Sequence, residues 1–286
     1  MPSKEILVIG SLHYDIFVES PNLPKVGETV RGNNWYPKLG GKGGNQAISA
    51  SLNSVSVKLV SAVGKDSFAI YILENLEKMN INTKYIQRLN NFNSGISVAI
   101  SNSDGDYGAT IVSGSNLNIN TDIFNDQSLW NNVEILMLQN EIDENTNIHA
   151  AKKAKELDIK VFYNAAPAKK INFDLFDLVD ILLVNTIEAQ DITESKIQNL
   201  EDIKKVSKIL SRKIPIAIVS AGEDGVVICK TNNEPIHFEG LNVQVKSTHG
   251  AGDTFAGFFC SSLVLGKSIE EAASMANQKA AKFISY

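Results

Sequence analysis

Ser247-Thr248-His249-Gly250-Ala251-Gly252-Asp253-Thr254-Phe255 runs into an apolar, small-residue segment, Ala256 to Leu265, that ends at Gly266. The segment reads as a buried helix with Gly266 as its stop. Gly250, Ala251 and Gly252 then lie at the helix entrance, where such small side chains let a ligand approach the unpaired backbone N–H groups. Together with the positive end of the helix dipole, these groups form an anion site suited to phosphate. Asp253 follows at once. A carboxylate beside an anion site suggests a base that deprotonates an alcohol while phosphoryl charge is stabilised. The local sequence is equally satisfied by an Asp that only caps or charges a helix start.

Outward from this stretch, the chain alternates between strand and helix. Ile6 to Ile9 is a continuous apolar run before Gly10, as in a buried parallel strand. Ser11 to Lys38 is rich in turn formers (Pro21, Pro24, Gly27, Gly32, Pro37) and reads as a small projecting sheet. A helix follows the Gly-rich stretch at 40–44 and runs to about Leu52. Val57 to Val63 is a strand, and Ser67 to Met79 a helix. Gly95 to Ser101 and Gly108 to Val112 flank Asp104-Gly105, a hairpin signal. Ile135–Leu138, Ile159–Tyr163, Ile181–Val184 and Ile214–Val219 are strands, interleaved with helices at Glu144–Leu157 and Leu200–Leu210. Val226–Cys229, Ile236–Phe238 and Val243–Val245 read as a closing antiparallel group. Helices at Thr254–Leu265 and Ile269–Ile284 end the chain. These βα units predict a three-layer α/β/α domain over 1–286 with a mainly parallel sheet and an inserted β lid, about 12–38 and 94–112.

The 286 residues are 43% hydrophobic and 21% charged, as in ordinary globular proteins. A net charge of −5 argues against nucleic acid as a partner. No apolar stretch approaches the ~20 residues of a membrane span. The strand-like run begins so early that no signal peptide is expected. Cys229 and Cys260 lie in apolar surroundings without metal or redox spacing, so the expected setting is the cytoplasm. Two nucleotide fingerprints fail. Gly41-Lys42-Gly43 starts a dinucleotide pattern that ends on Gln46, and Gly266-Lys267-Ser268 mimics a Walker loop inside helix. Histidines 13, 149, 237 and 249 show no zinc spacing.

Gly40-Gly41-Lys42-Gly43-Gly44-Asn45-Gln46 places four glycines around one cation and one amide, just before a helix. Such a loop can bring backbone N–H groups, Lys42 and Asn45 against a polyhydroxyl ligand, although Gly-rich turns are common. Paired with 248–254, it resembles the two signature motifs of the ribokinase-like (PfkB) carbohydrate kinase family, in the ribokinase version. Gly10-Ser11-Leu12-His13-Tyr14-Asp15, Leu138-Gln139-Asn140-Glu141, Asn164-Ala165-Ala166-Pro167-Ala168, Asn185-Thr186-Ile187-Glu188 and Ser220-Ala221-Gly222-Glu223-Asp224-Gly225 are similar to further family segments, in the same order.

The resemblance implies an ATP-dependent kinase acting on the primary hydroxyl of a small sugar such as a pentose. Asp253 would be the base, with Gly250, Ala251 and Gly252 stabilising phosphoryl charge. His13, Asp15, Gly41, Lys42, Asn45 and Glu141 would surround the sugar. Asn185 and Glu188 would orient Mg²⁺, through water, and the phosphates; alone, Asn-x-x-Glu is little more than a helix start. Ser220, Gly222, Gly225, Gly252, His249 and Asn277 would line the nucleotide. A closing lid would exclude water, and lid-to-lid pairing in a homodimer would cover its edges. Three departures stand out. His13 replaces the usual Asn, either donating to the ligand or filling the lid hinge. Ser247 replaces an Asp of a monovalent-cation site, and the chain stops at Tyr286, which together argue against K⁺ activation. Two alternatives remain: a nucleoside kinase on the same fold, and a non-catalytic sugar- or nucleotide-binding member.

Overall fold

The computed structural model describes residues 4–102, 107–170, 172–245 and 248–285. The elements run β1 (Glu5–Ile9), β2 (His13–Glu19), β3 (Asn34–Gly40), α1 (Lys42–Ser51), β4 (Ser56–Gly64), α2 (Ser67–Lys78), β5 (Ile86–Leu89), β6 (Gly95–Ser101) and β7 (Tyr107–Val112). The chain continues through α3 (Gln127–Trp130), β8 (Val133–Gln139), α4 (Glu144–Glu156), β9 (Lys160–Asn164), α5 (Phe173–Phe176), β10 (Ile181–Asn185) and α6 (Thr186–Thr193). It closes with α7 (Leu200–Leu210), β11 (Ile216–Ser220), β12 (Val226–Lys230), β13 (Ile236–Phe238), α8 (Ala251–Val264) and α9 (Ile269–Phe283).

The main sheet has the order β13-β12-β11-β10-β9-β8-β1-β4-β5 and is parallel except at β12 and β13. Alternation along β1 explains the layers. Ile6 and Val8 join a core shared with Phe255, Phe259 and Ala276 of α8 and α9, while Leu7 and Ile9 join the opposite core with α4 and α7. A strand buried on both faces therefore reads as a continuous apolar run. The strand order reverses between β1 and β8. In such sheets the crevice outside the strand C-termini at the reversal is where ligands bind.

A second sheet, in the order β3-β2-β6-β7, carries the segments expected to project. His13, Asp15 and Phe17 point to one of its faces; Tyr14, Ile16 and Val18 point to the other, where Tyr14 stacks on Phe68 of α2. Asp104-Gly105, Ser247 and Tyr286 lie outside the described residues.

The structure corrects the sequence reading in several places. Residues 243–245 form no strand, so β12 and β13 alone close the sheet. β5, α3, α5 and α6 were not anticipated; all are short, and three are helices of no more than eight residues with too little periodicity to register. Helix α8 begins at Ala251 rather than Thr254, because Gly250 at φ +80° turns the chain directly into it. The stop at Gly266 is as expected: φ is +84°, and the Gly266 and Lys267 N–H groups donate to Leu263 and Ser262 carbonyls. Among the described residues no helix is long and apolar enough to cross a membrane.

Candidate active site

Helices α1 and α8 pack closely because two small residues face each other. A Cβ at Gly257 would lie 2.5 Å from Ser49 Cβ, and Ser49 Oγ donates to the Thr254 carbonyl at 2.8 Å. One turn earlier on each helix, this approach sets Asn45 and Gln46 against Asp253. Gln46 Nε2 donates to Asp253 Oδ1 at 2.9 Å, and Asn45 Nδ2 to Oδ2 at 3.3 Å. Asp253 is 4% exposed. Burial raises its pKa, opposed by the Lys42 ammonium and the Gln46 bond; Glu141 adds to the rise.

The carboxylate is therefore held by side chains and does not cap its helix. The Gly250 N-cap of α8 makes no side-chain cap bond, and among the described residues nothing beyond the helix itself lies within 4 Å of a Cβ position on Gly252. A ligand can approach the backbone there. Of the expected anion donors, Ala251 N–H already donates to the Thr248 carbonyl at 3.2 Å, a turn the sequence did not reveal.

Glu141 follows β8 at the strand reversal. Its Oε2 accepts from Ser11 Oγ at 2.5 Å and from the Lys42 N–H, the first of α1, at 2.9 Å. The carboxylate thus ties β1 and β8 to the N-terminus of α1, where negative charge is favoured. Burial pushes its pKa up, but His13, Lys42 and these two hydrogen bonds outweigh burial and leave it lowered. Gly41 takes φ +86°, and its Cβ position is filled by the Ser11–His13 backbone.

Asp15 lies on β2 over Gly40, where a Cβ would collide with its carboxylate, and accepts from Ser97 Oγ of β6 at 2.7 Å. Burial raises its pKa against the Ser97 bond and the neighbouring imidazoles of His13 and His249. His13 is 2% exposed, packs over Gly95, and its Nε2 has no hydrogen-bond partner among the described residues. A buried ring nitrogen without a partner costs about 1–3 kcal/mol unless a ligand or water serves it.

A second group occupies the ends of β10 and β11. Asn185 and Glu188 form a capping box on α6: Asn185 Oδ1 accepts from Glu188 N–H, and Glu188 Oε2 from Asn185 N–H, both at 2.8 Å. Burial raises the Glu188 pKa, opposed by the Asn185 N–H bond and by Lys42. Ser220 Oγ donates to the Val184 carbonyl at 3.3 Å. Gly222 and Gly225 take φ +59° and +87°, and Gly225 packs on the backbone of 238–240. Asn277 Nδ2 holds the Glu239 carbonyl at 2.8 Å, docking α9 on that loop.

Lys42 acts electrostatically on Glu141, Glu188 and Asp253, so one cation links the groups. His249 was expected beside the nucleotide; its Nε2 lies 3.9 Å from Asp15 Oδ2 and its ring meets Phe17 edge-on. Gln46, Ser11 and Ser97 were given no role from sequence. Gln46 was visible in the Gly-rich motif, next to Asn45; Ser97 carries no local signal and is identified only by its register opposite Asp15.

Comparisons with known proteins identify the family. A family model described as pfkB family carbohydrate kinase matches residues 3–286. Ribokinase of Dictyostelium discoideum is 32% identical over 297 residues, 96% of this chain and 93% of that protein. Deoxyribokinase of Salmonella typhi is 29% identical over 271 residues, 94% of this chain and 88% of that one. The structure of Arabidopsis thaliana ribokinase complexed with ribose and ATP matches with a TM-score of 0.91 at 29% identity, over 99% of this chain and 93% of that one.

Proposed function

This chain belongs to the pfkB family of carbohydrate kinases and is an ATP-dependent carbohydrate kinase, and from that premise we propose that it phosphorylates the primary hydroxyl of a small free sugar, most simply a pentose. The observation that carries the reading is Asp253, buried at an uncapped helix N-terminus and held by Gln46 and Asn45. In the proposed mechanism Asp15 and His13 hold sugar hydroxyls, with Gly41, Lys42, Asn45 and Glu141 shaping the rest of the acceptor site. Asp253 takes the proton as the alcohol attacks the γ-phosphorus. Backbone N–H groups at 250–252 stabilise the transferring charge, with Ala251 N–H first releasing the Thr248 carbonyl. Ser220, Gly222, Gly225 and Asn277 line the nucleotide. Bound Mg²⁺ would neutralise phosphate charge. The donor set fits such an ion held mainly by phosphate and water: Asn185 and Glu188 offer oxygens, and no cluster of three or more ligating side chains occurs among the described residues.

The four-stranded sheet serves in this reading as a lid over the sugar. Its face away from the site exposes Trp35 (60%) and Val112 (53%), which supports pairing with a second lid in a homodimer. The polar acceptor side favours a free sugar over a nucleoside. The relatives include both a ribokinase and a deoxyribokinase, so a panel decides the sugar.

ADP release with MgATP is measured against pentoses, deoxysugars, ketohexoses, sugar acids and nucleosides, in Na⁺ and in K⁺ buffer. Turnover on one free sugar, equal in the two buffers, is expected. Nucleoside-dependent turnover would replace the sugar reading, and many-fold activation by K⁺ would refute the expected cation independence.

A further inference from the structure

His249 belongs by sequence to the turn that delivers α8, yet its side chain crosses to the four-stranded sheet. Nε2 lies 3.9 Å from Asp15 Oδ2, and the ring meets Phe17 edge-to-face with centroids 5.9 Å apart. Phe17 stacks on Tyr36 at 5.4 Å, and the Lys38 ammonium lies 5.0 Å from the Phe17 ring. Register puts Asp15 opposite Lys38 and Phe17 opposite Tyr36, so all four share the face that His249 covers. The Asp15 side chain is 5% exposed, whereas that of His249 is 58% exposed. A separation of 3.9 Å is too long for a direct hydrogen bond, and a single oxygen atom set to one side can bond to both groups at once. A sugar hydroxyl bonded to Asp15 Oδ2 on the side of the ring therefore comes within reach of the imidazole.

We propose that His249 is an acceptor-positioning residue that works with Asp15 from the α8 side, and not a nucleotide residue. The proposal rests on the sugar kinase reading above. The chemistry is complementary. An ionised Asp15 only accepts hydrogen bonds, whereas an imidazole nitrogen can donate one, so together they suit a polyhydroxyl acceptor with neighbouring hydroxyls.

The test compares the full chain with His249→Ala and His249→Gln. Calorimetry uses MgADP alone and sugar alone, the latter being the sugar selected by the panel or D-ribose if none turns over; steady-state kinetics follows. For His249→Ala, sugar Kd and KM are expected to rise about three- to tenfold, the size of one hydrogen bond. The kcat and the affinity for MgADP should stay within about twofold. His249→Gln keeps an N–H donor and should recover most of the loss. Weakened MgADP binding with unchanged sugar affinity would overturn the proposal, as would no change in either. If the wild-type chain binds sugar without turnover, the kinase reading falls while the binding comparison still decides the role of His249. Absence of any sugar binding overturns both.

Discussion

At the scale of residues, Asp253 as the proposed base would gain basicity from burial, while Gln46 and Asn45 hold its anion in place. Burial raises its pKa, and Lys42 and Gln46 pull it back, so the group stays ionisable while remaining a better base than an exposed Asp. Replacing it with Asn should lower kcat about 10²–10⁴-fold, the span of general base catalysis, as read by sugar-dependent ADP release. The reaction needs the ionised form, so kcat should fall as pH drops through a midpoint above the ordinary value of about 3.9. Gln46→Ala removes a donor to the anion and should move that midpoint further up; a pH profile of kcat unchanged by Gln46→Ala would contradict the assignment. Linkage gives a companion result. A folded pKa raised above the unfolded value subtracts stability once pH passes both, so Asp253→Asn should melt no lower than wild type at neutral pH. These residues differ in legibility. Asp253 and Asn45 stand out in their motifs, whereas nothing around Ser97 or His249 predicts that either meets Asp15.

At the scale of elements, the site depends on how closely α1 approaches α8. Gly257 is the contact that allows it, since a Cβ there would sit 2.5 Å from Ser49 Cβ and 2.6 Å from the Ala50 nitrogen. Gly257→Ala gains about 1 kcal/mol of helix propensity but forces a backbone atom to move, at about 1–3 kcal/mol. Overpacking should win, giving a net loss of stability in urea titration. The same displacement carries Asn45 and Gln46 away from Asp253, and misplacement of about 1 Å can cost 10²-fold in rate. A variant as stable and active as wild type would show that the helices have slack. The long apolar runs and the Gly-bounded helices were readable because their periodicity and stops are local. Residues 243–245 carry β-branched side chains but form no strand, and pairing, not propensity, made the difference.

At the scale of the whole molecule, the four-stranded sheet leaves Trp35 and Val112 on the face turned away from the acceptor site, with free edges at β3 and β7. Light scattering should report a dimer, and Trp35→Glu should shift it to monomer by placing a charge in the apolar contact. A monomeric wild-type chain would dismiss the lid-to-lid assembly. The sequence by itself determined the alternation of strands and helices, the Gly266 stop of α8 and the motifs that carry Asp15, Lys42, Asn45 and Asp253, because each is encoded in neighbouring residues. Only the tertiary structure decided that Gln46 holds Asp253, that Glu141 binds the first turn of α1, and that His249 turns toward Asp15. Each of those contacts joins segments, or chooses among partners, according to strand register and helix approach, and no local pattern specifies either.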